Sequence, residues 1–182
     1  MEEEEEAMKE VVTNYFIKLF TSCVGSRMDE LIDQIEPRVT PAMNELLCKE
    51  FTEKEVLDAL ESIGDLKAPG PDGMPSLFYK KYWDIVGEKV MAEVLSVLQV
   101  GPMPEGWNDT CVVLILKTKN LECMKELRPI SLCNVVYKLV SKVLANRLKQ
   151  ILAEIIAPNQ SAFVLGRLIT NNILLAYECT HY

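Results

Sequence analysis

Residues 110–149 read TCVVLILKTKNLECMKELRPISLCNVVYKLVSKVLANRLK and decide the expected fold. The run 110–116 is apolar, rich in β-branched residues and bounded by polar residues, which predicts a strand. Residues 128–132, RPISL, are predicted to form its antiparallel partner, with the charged segment 117–127 as the hairpin loop. Pro129 has no amide hydrogen, so the second strand must lie at a sheet edge or begin near this residue. A strand, a loop, a second strand and a helix therefore follow one another.

The helix predicted over residues 135–156 has two chemically different sides. Its apolar side is expected to be buried and consists of Val140, Val143, Leu144, Leu148, Ile151, Leu152 and Ile155. At 100° per residue, three lysines fall within about 40° of one another on the opposite side: Lys138, Lys142 and Lys149. An ordinary solvated face is the interpretation favoured for these lysines, with a nucleic-acid channel as the alternative.

Upstream of the hairpin, a second clear helix begins after Thr52. Residues 52–55, TEKE, form a capping box, in which the threonine hydroxyl accepts from the N3 amide and the glutamate reaches back. Gly64 is predicted to end this helix. The residues expected to be buried are Val56, Leu57, Leu60 and Ile63.

The segment 67–75, KAPGPDGMP, separates that helix from the next one. It contains three prolines and two glycines, which exclude a helix or a central strand and predict a stiff, shaped loop. Residues 76–100 are predicted to be helical, with a break near Gly87. The apolar side of this helix is predicted to contain Leu77, Tyr82, Ile85, Val86, Val90, Val94, Val97 and Leu98.

Helices are also predicted toward both ends of the chain. Residues 1–24 repeat apolar side chains every four positions, and shorter helices are expected over 29–35 and 41–47. A second shaped loop is predicted over 159–167, followed by a helix over 168–180. Together these elements predict one helix-rich α+β domain of ordinary size.

Charge is distributed very unevenly along the 182 residues. The whole chain has a net charge of -8. Residues 1–66 hold 6 Lys+Arg and 17 Asp+Glu, a net of -11, whereas residues 67–182 hold 13 and 10, a net of +3. Within the second part, residues 117–149 hold 8 Lys+Arg and two Glu, a net of +6. The negative net charge of the whole chain therefore does not reveal that residues 117–149 form a basic segment suited to binding phosphate.

The cysteines and the single histidine restrict the expected chemistry. His181 is the only histidine, which argues against Ser-His or Cys-His catalysis. A zinc site would need four scattered thiolates, which the usual ligand spacings disfavour. Free or buried thiols in a reducing compartment are the interpretation favoured for Cys23, Cys48, Cys111, Cys123, Cys133 and Cys179. No apolar run approaches the roughly 20 residues of a membrane span, and the acidic start does not resemble a secretory signal.

Three motif strings together resemble a known family. They are KAPGPDGMP at 67–75, the segment 113–149 with its LRPISL string, and NQSAFVLGRLITNNILL at 159–175. In this order they resemble the fingers-side motifs of LINE-type (non-LTR retrotransposon) reverse transcriptases, particularly the plant branch. The resemblance implies a mostly helical α+β fingers-type fragment with one small antiparallel β-hairpin, without palm and thumb. It implies an acidic helical N-terminal extension over 1–50 and a fingers portion over 51–182.

The resemblance also implies nucleotide-binding residues on the hairpin. Arg128 matches the family's triphosphate-contacting arginine, with Lys117 and Lys125 as basic companions. Arginine offers planar two-point contacts to phosphate and lysine offers a point charge. For the two lysines, ordinary solubility of the loop remains an equal alternative.

A template and primer path is implied for the second set of residues. Gly166 and Arg167 match the family's loop along this path, where glycine permits close backbone approach and arginine pairs with phosphate. The remaining residues assigned to the path are Lys138, Lys142, Lys149 and Lys67.

The family's metal-binding aspartates are not among the matching motifs. They hold Mg²⁺ for phosphoryl transfer and would lie beyond Tyr182, and the chain contains no Asp-Asp dipeptide. Leu116, Leu165 and Asn171 also depart from the family pattern, which suggests a decaying copy. The expectation is a truncated RNA-directed DNA polymerase fragment, inactive alone, with no cofactor of its own.

Two other functions stay open at the level of sequence. One is a nucleic-acid-binding module without catalysis, which would bind RNA or DNA weakly. The other is a protein-interaction fragment that self-associates through exposed apolar surface. Neither alternative involves a membrane, and both place the chain inside the cell, in the nucleus or the cytoplasm.

Overall fold

The fold contains seven α-helices and one two-stranded sheet within the described residues. The computed structural model describes residues 2–22, 32–33, 36–99, 101–157, 160–161, 164 and 166–181. The helices are α1 (Glu2–Phe20), α2 (Pro41–Cys48), α3 (Glu53–Ser62), α4 (Ser76–Lys81), α5 (Trp83–Gln99), α6 (Val135–Ile155) and α7 (Ile169–His181). The strands are β1 (Thr110–Leu116) and β2 (Leu127–Cys133), with a 3₁₀ turn over Met124–Glu126. None of these helices combines the length and apolarity that a membrane span requires.

The chain divides into two compact units. One comprises Met1–Glu36 and Val112–Ser131, and the other comprises Pro37–Cys111 and Leu132–Tyr182. The predicted division into 1–50 and 51–182 was drawn from charge and resemblance, and it stays a prediction. The mostly helical α+β class with one antiparallel hairpin is confirmed.

The second unit has a helical core. Helix α6 packs against α2, α3 and α5, and α4 joins α3 to α5. The side chains of Leu60, Val94 and Leu139 are almost completely buried there. Burying such side chains stabilises each by about 1.5–3 kcal/mol. The rest of the buried cluster consists of Val56, Ala59, Ile63, Tyr79, Met91, Val135, Val140 and Val143.

The capping box at Thr52 is confirmed. The Thr52 amide donates to Glu55 Oε2 at 2.9 Å, and the Glu55 amide donates to Thr52 Oγ1 at 3.3 Å. Helix α3 ends at Ser62, and Ile63 is its C-cap, one residue before the predicted Gly64.

The helix predicted over 76–100 is two helices, and the break lies at Tyr82 rather than at Gly87. Gly87 lies inside α5 and is buried. A Cβ at Gly87 would come within 2.6 Å of Trp83 Cε2, so the glycine makes room for an indole one turn earlier. A glycine within a helical pattern was therefore a packing signal, not a breaker.

The buried side of α6 is rotated from the predicted one by roughly a quarter turn. Leu144 and Leu148 were predicted to be buried but are 48% and 42% exposed. The buried positions are instead Val135, Leu139, Val140, Val143, Arg147 and Ile151. The predicted stripe omitted Val135, Leu139 and Arg147, and Val135 and Leu139 lie on the side towards which the buried face is rotated. On the other helices, further residues predicted to be buried are exposed: Leu57, Leu77, Tyr82 and Ile85.

The hairpin matches its prediction closely. The Lys117 amide donates to the Glu126 carbonyl at 2.7 Å, and Thr110 Oγ1 contacts Cys133 Sγ at 3.5 Å. These two contacts set the register, in which Leu114 lies opposite Pro129. The missing amide of Pro129 therefore points away from β1, which is how an edge strand accommodates proline.

The remaining predicted elements are only partly described. Helix α1 ends at Phe20, short of the predicted residue 24, and α2 matches its prediction. Helix α7 begins and ends one residue later than the predicted 168–180. Most of the helix predicted over 29–35 and part of the loop predicted over 159–167 lie outside the described residues.

Candidate nucleic-acid interface

One face of the hairpin presents two of the cations assigned to nucleotide binding. In the observed register Arg128 lies opposite Ile115, and Lys117 follows Ile115 by two positions on the same strand. Side chains two positions apart share a face, so Arg128 and Lys117 are diagonal neighbours on one side of the sheet. Arg128 is exposed, and its side chain forms no hydrogen bond or ion pair with any other residue that the structure describes. Its guanidinium is therefore available to a ligand.

The turn that joins the strands is fixed by a carboxylate. Glu126 accepts hydrogen bonds from the amides of Glu122 at 2.7 Å and Cys123 at 3.2 Å. These amides lower the pKa of Glu126. Lys117 Nζ donates to the Lys125 carbonyl at 2.5 Å, so the first strand is tied to the second at their common end. Lys125 is exposed beside this tie.

Arg167 is engaged by backbone oxygens at the end of α6. Its Nη1 donates to the carbonyl of Ala157 at 2.6 Å, and its Nη2 donates to that of Ala153 at 3.0 Å. Two further bonds go to the carbonyls of Gln160 at 2.9 Å and Ile156 at 3.3 Å. A cation at a helix C-terminus satisfies orphan carbonyls and the negative end of the dipole. The guanidinium thus acts as a cap.

Gly166 precedes this cap in a left-handed conformation, with φ +80°. No atom lies within 4 Å of the place where a Cβ would stand, so open space surrounds it. Backbone conformation, and not close approach, accounts for glycine at this position.

The lysines assigned to the template path have different surroundings. Lys138 Nζ donates to the Ala68 carbonyl at 2.8 Å, which ties α6 to the KAPGPDG loop. Lys142 is half-buried, whereas Lys149 and Lys67 are exposed. Of the three helix lysines, Lys149 is the most accessible to a phosphate.

The KAPGPDG loop packs against Asn134, a buried residue to which the sequence motifs assign no role. Asn134 Oδ1 accepts from the Asp72 amide at 3.2 Å, and Asn134 Nδ2 donates to the Gly106 carbonyl at 2.9 Å. A Cβ at Gly70 would overlap the backbone of Cys133 and Asn134. These contacts support a role for the loop in positioning the helices that it joins.

A second overlooked residue is Arg147, which is 5% exposed. Its Nε donates to Glu55 Oε1 at 2.6 Å and its Nη2 donates to Glu55 Oε2 at 2.9 Å. The arginine lowers the pKa of Glu55 to about 2. Its guanidinium carbon lies 3.7 Å from the centroid of the Phe51 ring. It also donates to the backbone carbonyls of Leu47, Lys49 and Glu50.

The position of Arg147 was visible in the sequence. It follows Val140 and Val143 at helical spacing and precedes Ile151 by four, so it occupies a buried position of α6. One of the eight cations counted in the basic segment 117–149 is therefore unavailable to nucleic acid.

Two transposon proteins match nearly the whole chain. The "Transposon TX1 uncharacterized 149 kDa protein" of Xenopus laevis is 31% identical over 182 residues, covering 99% of this chain and 14% of that protein. The "Probable RNA-directed DNA polymerase from transposon BS" of Drosophila melanogaster is 25% identical over 189 residues, covering 98% of this chain and 21% of that protein. No family model matches the chain.

The chain is a homologue of transposon-encoded proteins. This transposon homologue spans less than a quarter of the length of either relative. The alignments include both the hairpin and the helical core, because they leave out at most 2% of the chain.

The described part of the transposon homologue contains no cluster of side chains that could bind the magnesium ions implied by the resemblance. Among these residues no group of three or more His, Cys, Asp or Glu side chains converges. The described cysteines, which are Cys48, Cys111, Cys123, Cys133 and Cys179, are free thiols. The geometry thus offers cations for phosphate and, within the described residues, no group of three or more side chains that could hold a metal ion.

Proposed function

We propose that this chain is the fingers part of a LINE-type (non-LTR) RNA-directed DNA polymerase and that its hairpin contacts the triphosphate of an incoming nucleotide. The observation that carries the proposal is the shared face of Arg128 and Lys117, with Arg128 left free of described partners. Similarity over nearly the whole chain to a transposon RNA-directed DNA polymerase supports it. The strings KAPGPDG and LRPISL favour the plant branch of that family.

The geometry suits phosphate recognition in three respects. Arg128 provides a planar guanidinium for two-point contact, and Lys117 provides a point charge on the same face. The turn held by Glu126 limits the freedom of the hairpin, so less entropy is lost on binding. Lys125, exposed at the loop, adds a third positive charge nearby.

Binding, and not polymerisation, is the activity proposed for this chain alone. Two-metal phosphoryl transfer requires paired carboxylates close to the reacting oxygens. The motifs that supply them in the family have no counterpart in the sequence, which lacks an Asp-Asp dipeptide. Primer extension by the isolated chain with Mg²⁺ is expected to be undetectable, and extension above a no-protein control would contradict this.

The direct test is to measure the equilibrium binding of a deoxynucleoside triphosphate by calorimetry. Arg128→Ala should weaken binding about tenfold or more, because a charge-assisted hydrogen bond is worth roughly 1.5–3 kcal/mol. Arg128→Lys should retain part of the affinity. Arg38→Ala is the matched control, since Arg38 is also exposed but lies in the acidic part of the sequence. Equal binding by Arg128→Ala and Arg38→Ala would reject the hairpin as the site.

A second candidate is a single-strand nucleic-acid-binding module. The exposed hairpin cations and the exposed Lys149 favour it. The logarithm of the RNA-binding constant should then fall steeply with the logarithm of the salt concentration. The slope of this plot should become shallower by about one for each phosphate-contacting lysine removed. Lys149→Ala should reduce the slope and Lys54→Ala, an exposed control on α3, should not. A slope near zero would eliminate this candidate.

A further inference from the structure

The hairpin leaves one edge of β1 unpaired. Among the residues that the structure describes, the sheet has two strands, so β1 pairs with β2 along a single edge. Because Lys117 bonds through its amide to Glu126, the backbone groups of the alternate residues Val112, Leu114 and Leu116 point outward. Within the part of the chain that the structure describes, those outward groups form no hydrogen bond with other backbone. Such an edge is a template for another strand.

The two edges of this sheet differ in how well they are protected. Strand β1 contains no charge, no proline and no glycine, and all of its residues except Leu114 are exposed. Strand β2 presents Pro129, whose missing amide leaves a gap in the centre of its outer edge. Strand addition is therefore expected at β1 and not at β2.

We propose that β1 pairs in antiparallel orientation with β1 of a second copy of this chain, centred on Val113. Residues whose backbone groups point away from β2 must pair with the same kind of residue in the second copy. This requirement places Val112 opposite Leu114 of the second copy. The same register places Asp109, just before the strand, opposite Lys117, just after it. By two-fold symmetry this pair forms twice.

The charges select this arrangement over the alternatives. Asp109 and Lys117 are both exposed, and both occupy non-hydrogen-bonded pairs of the new ladder, where facing side chains are closest. A parallel arrangement in register would place Lys117 against Lys117 and Asp109 against Asp109. A shift of two residues in one direction would lose both opposite-charge pairs. A shift in the other direction would place Asp109 opposite Lys119, which lies beyond the bond that holds the Lys117 amide to Glu126. Opposite charges across a ladder stabilise it and like charges destabilise it.

Lys117 is able to take part without leaving the hairpin. Its ammonium has three donors, of which one is directed to the Lys125 carbonyl. The remaining donors can face a carboxylate of the second copy. The proposal does not depend on nucleotide binding, and each test below is made without nucleotide.

Sedimentation velocity over a concentration series tests the proposal. The wild-type chain should show a monomer–dimer equilibrium. Asp109→Lys and Lys117→Asp should each weaken dimerisation about tenfold or more, because two attractive pairs become repulsive. The double variant Asp109→Lys with Lys117→Asp should restore it. Asp58→Lys, the same charge change on the exposed surface of α3, should have no effect.

Hydrogen exchange of single amides tests the geometry of the pairing. The amides of Val112 and Leu114 should gain protection as the concentration rises, whereas that of Val113 should be protected throughout by the hairpin. Val112→Pro should abolish the dimer while circular dichroism stays unchanged, and Val112→Thr should keep it. The proposal is wrong if the wild-type chain stays monomeric at every concentration. It is also wrong if the double charge reversal does not restore the dimer that the single reversals weaken, or if Val112→Pro still forms the dimer.

Discussion

The helical core and the hairpin each contain an arginine, and the two arginines have opposite surroundings. Arg147 is buried in α6, bonded to Glu55 and to three backbone carbonyls. Arg128 lies exposed on β2 without a described partner. Both belong to the basic segment 117–149, so they contribute equally to its net charge. The comparison shows that a charge count does not measure charge available to a ligand, because partners and burial decide that.

The largest expected effect comes from removing the buried arginine. Arg147→Ala leaves Glu55 and three carbonyls without their donor, so the free energy of unfolding should fall by about 3–5 kcal/mol. Arg128→Ala should change it by less than about 0.5 kcal/mol, as expected of an exposed side chain. Urea unfolding followed by circular dichroism measures both. Similar losses for the two variants would break the contrast between the two regions.

A second test concerns how the KAPGPDG loop is attached to the core. Gly70→Ala would force a methyl group into the backbone of Cys133 and Asn134, which should cost about 1–3 kcal/mol of unfolding free energy. Gly64→Ala is the control, because its nearest neighbour would be Lys67 Cγ at an ordinary 3.5 Å. If Gly70→Ala is as stable as Gly64→Ala, the loop is not seated as described.

Acid should weaken the core through Glu55. Its pKa is lowered from 4.5 to about 2 by the Arg147 side chain. A lowered folded-state pKa gives stability that is complete above the unfolded value and is lost as the pH falls from 4.5 towards 2. Solvent screens a side chain that is 30% exposed, so we expect a loss of about 1–2 kcal/mol. At pH 5 the unfolding midpoint of the wild type should exceed that of Glu55→Gln. At pH 2.5 the difference between the two midpoints should be smaller.

The smallest expected effect separates capping from phosphate contact at Arg167. Arg167→Ala should lower the unfolding free energy by about 1 kcal/mol through the lost C-terminal cap. It should leave the salt slope of RNA binding nearly unchanged, whereas Arg128→Ala should reduce that slope. A reduced slope with unchanged stability would instead restore the template-path role that the resemblance implied.

Local patterns proved reliable where neighbouring residues supply both partners of an interaction. The capping box of α3 needs only Thr52 and Glu55, three positions apart. The hairpin needs only adjacent strands, and its proline was correctly restricted to an edge. The break near Gly87 was wrong although its partner Trp83 is only four positions away, because glycine in a helix is compatible with either a break or close packing. The buried side of α6 was wrong because the burial of Val135, Leu139 and Arg147 depends on other helices that pack against α6.

The candidate site divides in the same way. The cations that the resemblance assigns to it, such as Arg128 and Lys117, could be named from the strings alone. Their common face followed only from the register, which a backbone bond between Lys117 and Glu126 sets. The seating of Gly70 on Asn134 joins residues more than sixty positions apart, so no local pattern could have indicated it.

The sequence by itself determined which segments form helices, strands and stiff loops, because backbone sterics, capping and side-chain periodicity act over a few residues. It also determined where positive charge accumulates. Only the tertiary structure decided which cations remain free. Arg147 is bound by Glu55, 92 positions away, and Arg167 is bound by carbonyls at the end of the preceding helix. For Arg147, burial makes these bonds obligatory, because an unpaired buried charge is too costly to retain.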